Sequence, residues 1–211
     1  MLVVYAIPPS LYCAKLRITL RHKELVWREE PPPGGYGSDA YKEIVPSGNL
    51  PALLDGDLLI ADSEAIAEYL NEAYSTPPML PVDPAARAKA RERGRFHDTR
   101  LEPAVRALFP YLPPKDVPAA MAAAQSQTLS DRLAQLASML SADMDAGTDL
   151  TLGDCGFPIT FTWIEALTPL LGLTIDWPTD IAAYRERLET HVAVGQELLS
   201  YRPVVSGFLA Q

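Results

Sequence analysis

Cysteine is scarce in this chain of 211 residues: Cys13 and Cys155 are the only two, too few for a disulfide scaffold and in no spacing that makes a structural metal site. Histidine is almost as rare. His22, His97 and His191 fall in separate segments with no paired ligands near them, so no metal is expected and the three are expected at the surface. Basic side chains are outnumbered, 18 against 27 acids, and a net charge of −9 argues against a nucleic-acid binder, because neutralising phosphates needs an excess of Lys and Arg. No stretch approaches the roughly 18 consecutive apolar residues of a membrane span. Residues 1–7 are apolar but carry no basic flank and end at Pro8-Pro9, the wrong frame for a signal peptide. Neither a nucleic acid nor a membrane is therefore expected as a partner, and the reducing cytoplasm is the default compartment. An apolar fraction of 48% is nevertheless enough to bury a large core, and the length suits two unequal units.

Leu2 to Ile7, rich in β-branched residues and stopped by two prolines, predicts a buried strand. Ser10 can then cap a helix in which Cys13, Leu16 and Leu20 recur on one face while Lys15, Arg21 and His22 face water. Leu25 to Glu30 predicts a second strand, the tract from Pro31 to Ser38 a loop, and Asp39 to Val45 a short helical segment. Ala52-Leu53-Leu54 and Leu58-Leu59-Ile60 flank Asp55-Gly56-Asp57, a strong hairpin signal. Asp62-Ser63 opens a third helix with Ile66, Leu70 and Ala73 on one face, ending near Tyr74. This β-α-β-α-β-β-α order predicts an α/β thioredoxin-like domain over residues 1–75. After the proline-marked linker, residues 84–211 predict an all-α domain, with long helices at 85–109 and 119–140 and a capping box at Thr151-Leu152-Gly153-Asp154. A core helix follows, kinked by Pro158, and helices at about 179–189 and 192–201 close the chain.

Ser10-Leu11-Tyr12-Cys13 at the first helix, Pro46-Ser47-Gly48-Asn49-Leu50-Pro51 before the third strand, Asp62-Ser63-Glu64-Ala65-Ile66 at the third helix, and an all-helical remainder together resemble the cytosolic glutathione transferases. The resemblance covers essentially the whole chain and carries the spacing of the serine-type members, theta-like and zeta-like. It implies glutathione as co-substrate, no metal, a homodimer, and conjugation of the glutathione thiolate to a small apolar electrophile. A glutathione-dependent isomerase of the maleylacetoacetate type, or a glutathione-binding module without turnover, are the alternatives. In the isomerase family's Ser-Ser-Cys stretch the second and third positions are here Leu11 and Tyr12.

The chemistry of those positions can be stated separately. Leu50 precedes Pro51, and an X-Pro bond adopts the cis form cheaply. The family pairs the Leu50 main chain with the cysteinyl part of glutathione as an added strand. Asp62 and Ser63 sit at a helix N-terminus, which attracts a carboxylate while the acid can take an ammonium, so both ends of the γ-glutamyl group are matched. Relatives carry Glu or Gln before this Ser, one methylene longer than Asp62. Asn49 stands where relatives place a side chain that reaches the peptide; it also reads as a turn residue. Ser10 is the candidate catalytic residue, donating a hydrogen bond to the bound thiolate, and equally reads as a plain N-cap. Tyr5 and Tyr12 are rival donors. Tyr12, Phe96 and Phe109 are candidates for the second-substrate pocket, with core packing as the alternative for the phenylalanines.

Between Pro84 and Pro110 seven Lys and Arg face three acids, +4 in a chain of −9. Arg87, Arg91 and Arg95 repeat on one helix face, and Glu64, Glu68 and Glu72 on the preceding helix. The stripes suit complementary charge across a two-fold interface, or two solvated faces.

Overall fold

A computed structural model describes residues 1–112, 117–140 and 149–210. Its strands all lie before residue 62. β1 (Leu2–Tyr5) runs parallel to β2 (Trp27–Glu30) and antiparallel to β3 (Ala52–Asp55), which pairs with β4 (Leu58–Ala61), giving the sheet order β2-β1-β3-β4. The Asp55–Leu58 turn closes the hairpin with Gly56 at φ +59°, in the left-handed region that glycine enters without a Cβ penalty. Helices α1 (Leu11–His22), α2 (Asp39–Lys42) and α3 (Ser63–Ala73) complete a thioredoxin-like unit whose core joins Val4, Leu16, Leu20, Leu53, Ile66 and Leu70.

Everything after α3 is helical among the described residues. In order come α4 (Pro84–Phe96), α5 (Glu102–Arg106), α6 (Ala119–Leu140), α7 (Phe157–Leu170), α8 (Thr179–Thr190) and α9 (Val192–Leu209). Helix α1 serves two cores at once. Its Leu16 and Leu20 pack on the sheet, while Leu11, Ala14 and Ile18 join a larger cluster with Leu129, Phe157, Trp163 and Tyr201. Being covered on both faces, α1 also buries polar residues: Lys15, expected in water, is only 2% exposed.

Several other expectations are corrected. The helix predicted over 85–109 is not continuous in its hydrogen bonding. A π-helical turn at His97–Leu101 separates α4 from α5, and Phe109–Tyr111 forms a 3-10 turn. The extra residue per turn shifts the side-chain phase, which a 3.6-residue pattern does not anticipate. Pro158 does not kink α7; it lies in the first turn, where its missing N–H has no helical partner to lose, and the proline inside that helix is Pro169. The expected capping box is present on a 3-10 turn, Leu152–Asp154, with the Asp154 carboxylate accepting from the Thr151 N–H and hydroxyl. This turn presses directly on α4. A Cβ placed on Gly153 would lie 2.0 Å from the Ala90 carbonyl oxygen, so only glycine permits the approach.

The histidines are not surface residues. His97 is 1% exposed, between Asp98 and Thr160 at 2.7 Å each. His22, at the end of α1, and His191, between α8 and α9, are half-buried with ring nitrogens 3.2 Å apart. Nδ1 of His191 accepts the Ala193 N–H, so its own proton sits on Nε2 and points at Nδ1 of His22. Burial pushes both imidazoles below the ordinary range. For His22 the facing His191 and Lys23 add to this, and for His191 Arg187 does, against the opposing pull of Asp149. The unfolded chain, with histidines titrating near pH ~6.5, therefore binds protons that the folded pair refuses; the pair's contribution is full above that value and is lost as pH falls below it. Melting temperature should consequently drop more steeply between about pH 7.5 and 5 in the wild type than in His22→Gln. Parallel curves would show that the pair does not carry the dependence.

Candidate functional site

A cleft of about 660 Å³ opens between the sheet domain and the α4–α5 segment. Its sheet-side wall is made of Ser47, Asn49, Leu50, Ala61, Asp62 and Ser63. The local sequence accounts for this wall. Gly48, at φ +66°, turns the chain so that Leu50 enters the cis peptide bond to Pro51 immediately before β3. Tyr41 fixes the same turn by donating to the Asn49 carbonyl at 2.9 Å. Among the described residues neither the N–H nor the carbonyl of Leu50 takes a backbone hydrogen bond, so an extended peptide can add there as an edge strand.

Asp62 caps α3 from an unusual backbone position, φ +88°, outside the comfortable range of a non-glycine residue. One oxygen, Oδ1, accepts the N–H groups of Glu64 at 2.9 Å and Ala65 at 3.1 Å. Its Oδ2 and the adjacent Ser63 hydroxyl have no partner among the described residues, which leaves an acceptor and a donor side by side at a helix N-terminus. Strain of this kind is retained where surrounding structure needs that geometry.

The opposite wall comes from α1 and the α4–α5 segment: Tyr12, Arg95, Asp98, Thr99 and Arg106, with Tyr36 reaching over from the loop after β2. Underneath lies a buried ionic network. The Lys15 ammonium sits 2.7 Å from Glu64 and 2.9 Å from Asp98, joining α1, α3 and the π-helical turn. Burial alone would raise the Asp98 carboxyl, but the His97 hydrogen bond and the Lys15 charge outweigh it and hold its pKa at about 2. Tyr12 donates its phenol to Glu102 at 3.0 Å, and Glu102, 2% exposed, also pairs with Arg106. Burial first, then the charges of Glu102 and Asp98, keep the Tyr12 phenol protonated.

The predicted residues are thus placed as follows. Asn49, Leu50, Asp62, Ser63 and Tyr12 share the cleft wall; Ser10, Pro51, Phe96 and Phe109 do not line it. Ser10 stands two residues from Tyr12 at the N-terminus of α1, its Oγ accepting the Cys13 N–H at 3.3 Å. Cys13 is fully buried, and desolvation pushes its thiol up against the opposing pull of the Ser10 hydroxyl. Tyr5 packs edge-on against Tyr41, ring centroids 5.6 Å apart. Phe96 and Phe109 pack against the helical core, Phe109 with its ring 4.9 Å from that of Trp163. Sequence reasoning missed Arg95, Asp98, Thr99 and Arg106 as cleft residues. A signal was present: 95, 99, 102 and 106 fall at three- and four-residue spacing, a polar stripe on a segment otherwise read for its phenylalanines.

Residues 4–78 match the family model described as the glutathione S-transferase N-terminal domain. Residues 4–78 thus carry the N-terminal domain of the glutathione S-transferases. The chain is similar to a stringent starvation protein A homolog of Pasteurella multocida, 39% identical over 82 residues, which are 39% of each chain. It is also similar to glutathione S-transferase Z2 of Arabidopsis thaliana, 38% identical over 108 residues, or 49% of this chain and 48% of that one. The matched stretches thus span between about two fifths and half of those curated relatives. The fold extends further: the glutathione transferase BmGSTD1 of Bombyx mori superposes with a TM-score of 0.80 over 99% of this chain and 97% of that one, at 21% identity. Among the described residues no helix is long and apolar enough to cross a membrane.

The charge stripes are partly spent within the chain. Arg91 pairs with Glu68 through two contacts of 2.6 and 2.9 Å, and Glu64 belongs to Lys15.

Proposed function

We propose that this protein binds glutathione through residues 1–75 and transfers its thiolate to an electrophilic carbon admitted by residues 84–211, working as a homodimer. The reading is carried by one juxtaposition. The unpaired main chain of Leu50 lies in the same wall as the free Oδ2 of Asp62 and the free hydroxyl of Ser63, a match for a cysteinyl backbone followed by a group bearing both ammonium and carboxylate. Ser10 then donates to the sulfur, aided by the positive end of α1. The sulfur forms a bond to carbon, and the leaving group departs with its electron pair; in an addition, the neighbouring carbon instead takes a proton from water. Dimerisation would draw on Arg87, Arg95 and Glu72, the stripe charges without an ion pair among the described residues.

Titration calorimetry with reduced glutathione tests the reading. The wild type should bind, and Ser63→Ala should weaken binding by about tenfold, the size of one hydrogen bond to a charged group. No heat with the wild type would overturn it. A glutathione-binding module without turnover is the second reading, favoured by the engagement of Ser10 as a helix cap outside the cleft wall; binding without turnover of any electrophile would select it.

A further inference from the structure

The charge stripes of α3 and α4 meet in opposite directions, and one pair of the series is not made. Arg91 of α4 grips Glu68 of α3 at 2.6 and 2.9 Å. Further along α4, Gly94 comes against Glu64, one turn back along α3: a Cβ on Gly94 would lie 3.3 Å from Glu64 Oε1. Regular pairing would therefore give Glu64 to Arg95. Glu64 is instead bound by the buried Lys15 ammonium at 2.7 Å, and Arg95 is left exposed in the cleft wall without an ion pair among the described residues. We propose that Arg95 is a glutathione ligand that takes the α-carboxylate of the γ-glutamyl group, so that the peptide site reaches beyond residues 1–75 into the helical half. This deepens the transferase reading and rests on it.

The wall around Ser63 requires a cation if a carboxylate is to settle there. Ser63 is only 6% exposed, lines the cleft, and its hydroxyl has no partner among the described residues. That hydroxyl can donate one hydrogen bond to a carboxylate, helped by the positive end of α3, but it carries no charge to offset the ligand's own. The neighbouring acids oppose an anion. Asp62 brings one carboxylate, and the single Lys15 ammonium stands against two more, Glu64 and Asp98. With Arg95 added, the wall matches a zwitterion: the free Oδ2 of Asp62 for the ammonium, Ser63 and the guanidinium for the carboxylate.

Position and availability single out Arg95. Arg91 is level with Glu68; the four residues on to Arg95 rise about 6 Å along α4, and the five back from Glu68 to Ser63 about 7.5 Å along α3. The guanidinium is therefore carried to the first turn of α3, within the reach of an arginine side chain. The other arginine of the cleft wall, Arg106, is already paired with Glu102. Arg95 has no acceptor for its guanidinium among the described residues, so both edges of the fork are open to a ligand.

Three peptides titrated into the wild type and Arg95→Gln test this by calorimetry: reduced glutathione, 4-aminobutyryl-cysteinylglycine, which keeps the ammonium and lacks the α-carboxylate, and glutaryl-cysteinylglycine, which keeps the carboxylate and lacks the ammonium. Arg95→Gln should weaken glutathione and the glutaryl peptide by about fivefold each, the size of one solvent-exposed ion pair, and leave the aminobutyryl peptide unchanged. Equal weakening of all three overturns the inference, because the substitution then acts on the cleft as a whole and not on the carboxylate. So does unchanged affinity for glutathione, which leaves the transferase reading in place. A lower mass in solution for Arg95→Gln with glutathione affinity unmoved gives the arginine to the two-fold contact instead. Absence of glutathione binding by the wild type removes both readings together.

Discussion

Ser10→Ala lowers kcat for thiol transfer by about two orders of magnitude, the usual loss when one preorganised donor to a developing anion is removed. Glutathione affinity changes little, because the peptide is anchored at Leu50, Asp62 and Ser63 and the hydroxyl acts only on sulfur. The pH at which bound glutathione ionises, read from the ultraviolet absorbance of the thiolate, should move up towards that of a free thiol, about 8.5. Ser10 also caps α1 through the Cys13 N–H, so the alanine variant loses roughly 1 kcal/mol of helix stability as well. Ser10→Gly separates the two roles, since glycine costs an N-cap only a few tenths of a kcal/mol yet has no hydroxyl. Both variants should lose turnover alike. Undiminished turnover in both would pass the donor role to Tyr12, which would first have to give up the bond to Glu102.

The largest effect on stability is expected at Lys15. Its ammonium, 2% exposed, compensates Glu64 and Asp98 together at the junction of α1, α3 and the π-helical turn. Lys15→Met leaves two carboxylates in a dry site without a counter-charge and should cost about 3–5 kcal/mol by chemical denaturation. In the wild type the lowered Asp98 pKa contributes stability above the unfolded carboxylate value near 4, lost as pH falls towards about 2. In the variant the carboxyl keeps the His97 hydrogen bond but loses the Lys15 charge and takes a proton more readily, so the gap between the two proteins should narrow as the solution is acidified. Lys15→Met combined with Asp98→Asn should recover part of the loss. A gap that is constant with pH would mean that the lysine's hydrocarbon stem, not its charge, is what the core requires.

Lys15 also illustrates why parts of this protein escaped a reading of the chain. A lysine on a helix whose Cys13, Leu16 and Leu20 make one apolar face reads as solvated, and on a helix lying on a sheet alone it would be. Here α1 is covered a second time by the helical half of the molecule, so Leu11, Ala14 and Ile18 pack there and Lys15 between them is enclosed. His97 has the same history. Its neighbour Gly156 comes so close that a Cβ there would meet the imidazole at 2.3 Å, a contact between segments some sixty positions apart. Phe96 and Phe109, chosen as pocket walls for their size, pack half-buried against the helical core, and the cleft wall received Arg95 and Arg106 instead. Pro158 misled because its effect depends on position: one turn further along it would break a hydrogen bond, whereas in the first turn there is none to break.

What the chain determined by itself is everything set by neighbours a few residues apart. The hairpin around Gly56, the cap at Asp62, the reciprocal bonds of Thr151 and Asp154, and the order of strands and helices follow from backbone preferences and short-range hydrogen bonds that act before any long-range contact exists. Tertiary structure alone decided which charges are buried, which aromatic rings become core, and which arginines face the cleft. Those outcomes depend on dielectric and packing, properties of the space between segments, and that space exists only once the two halves have closed on α1.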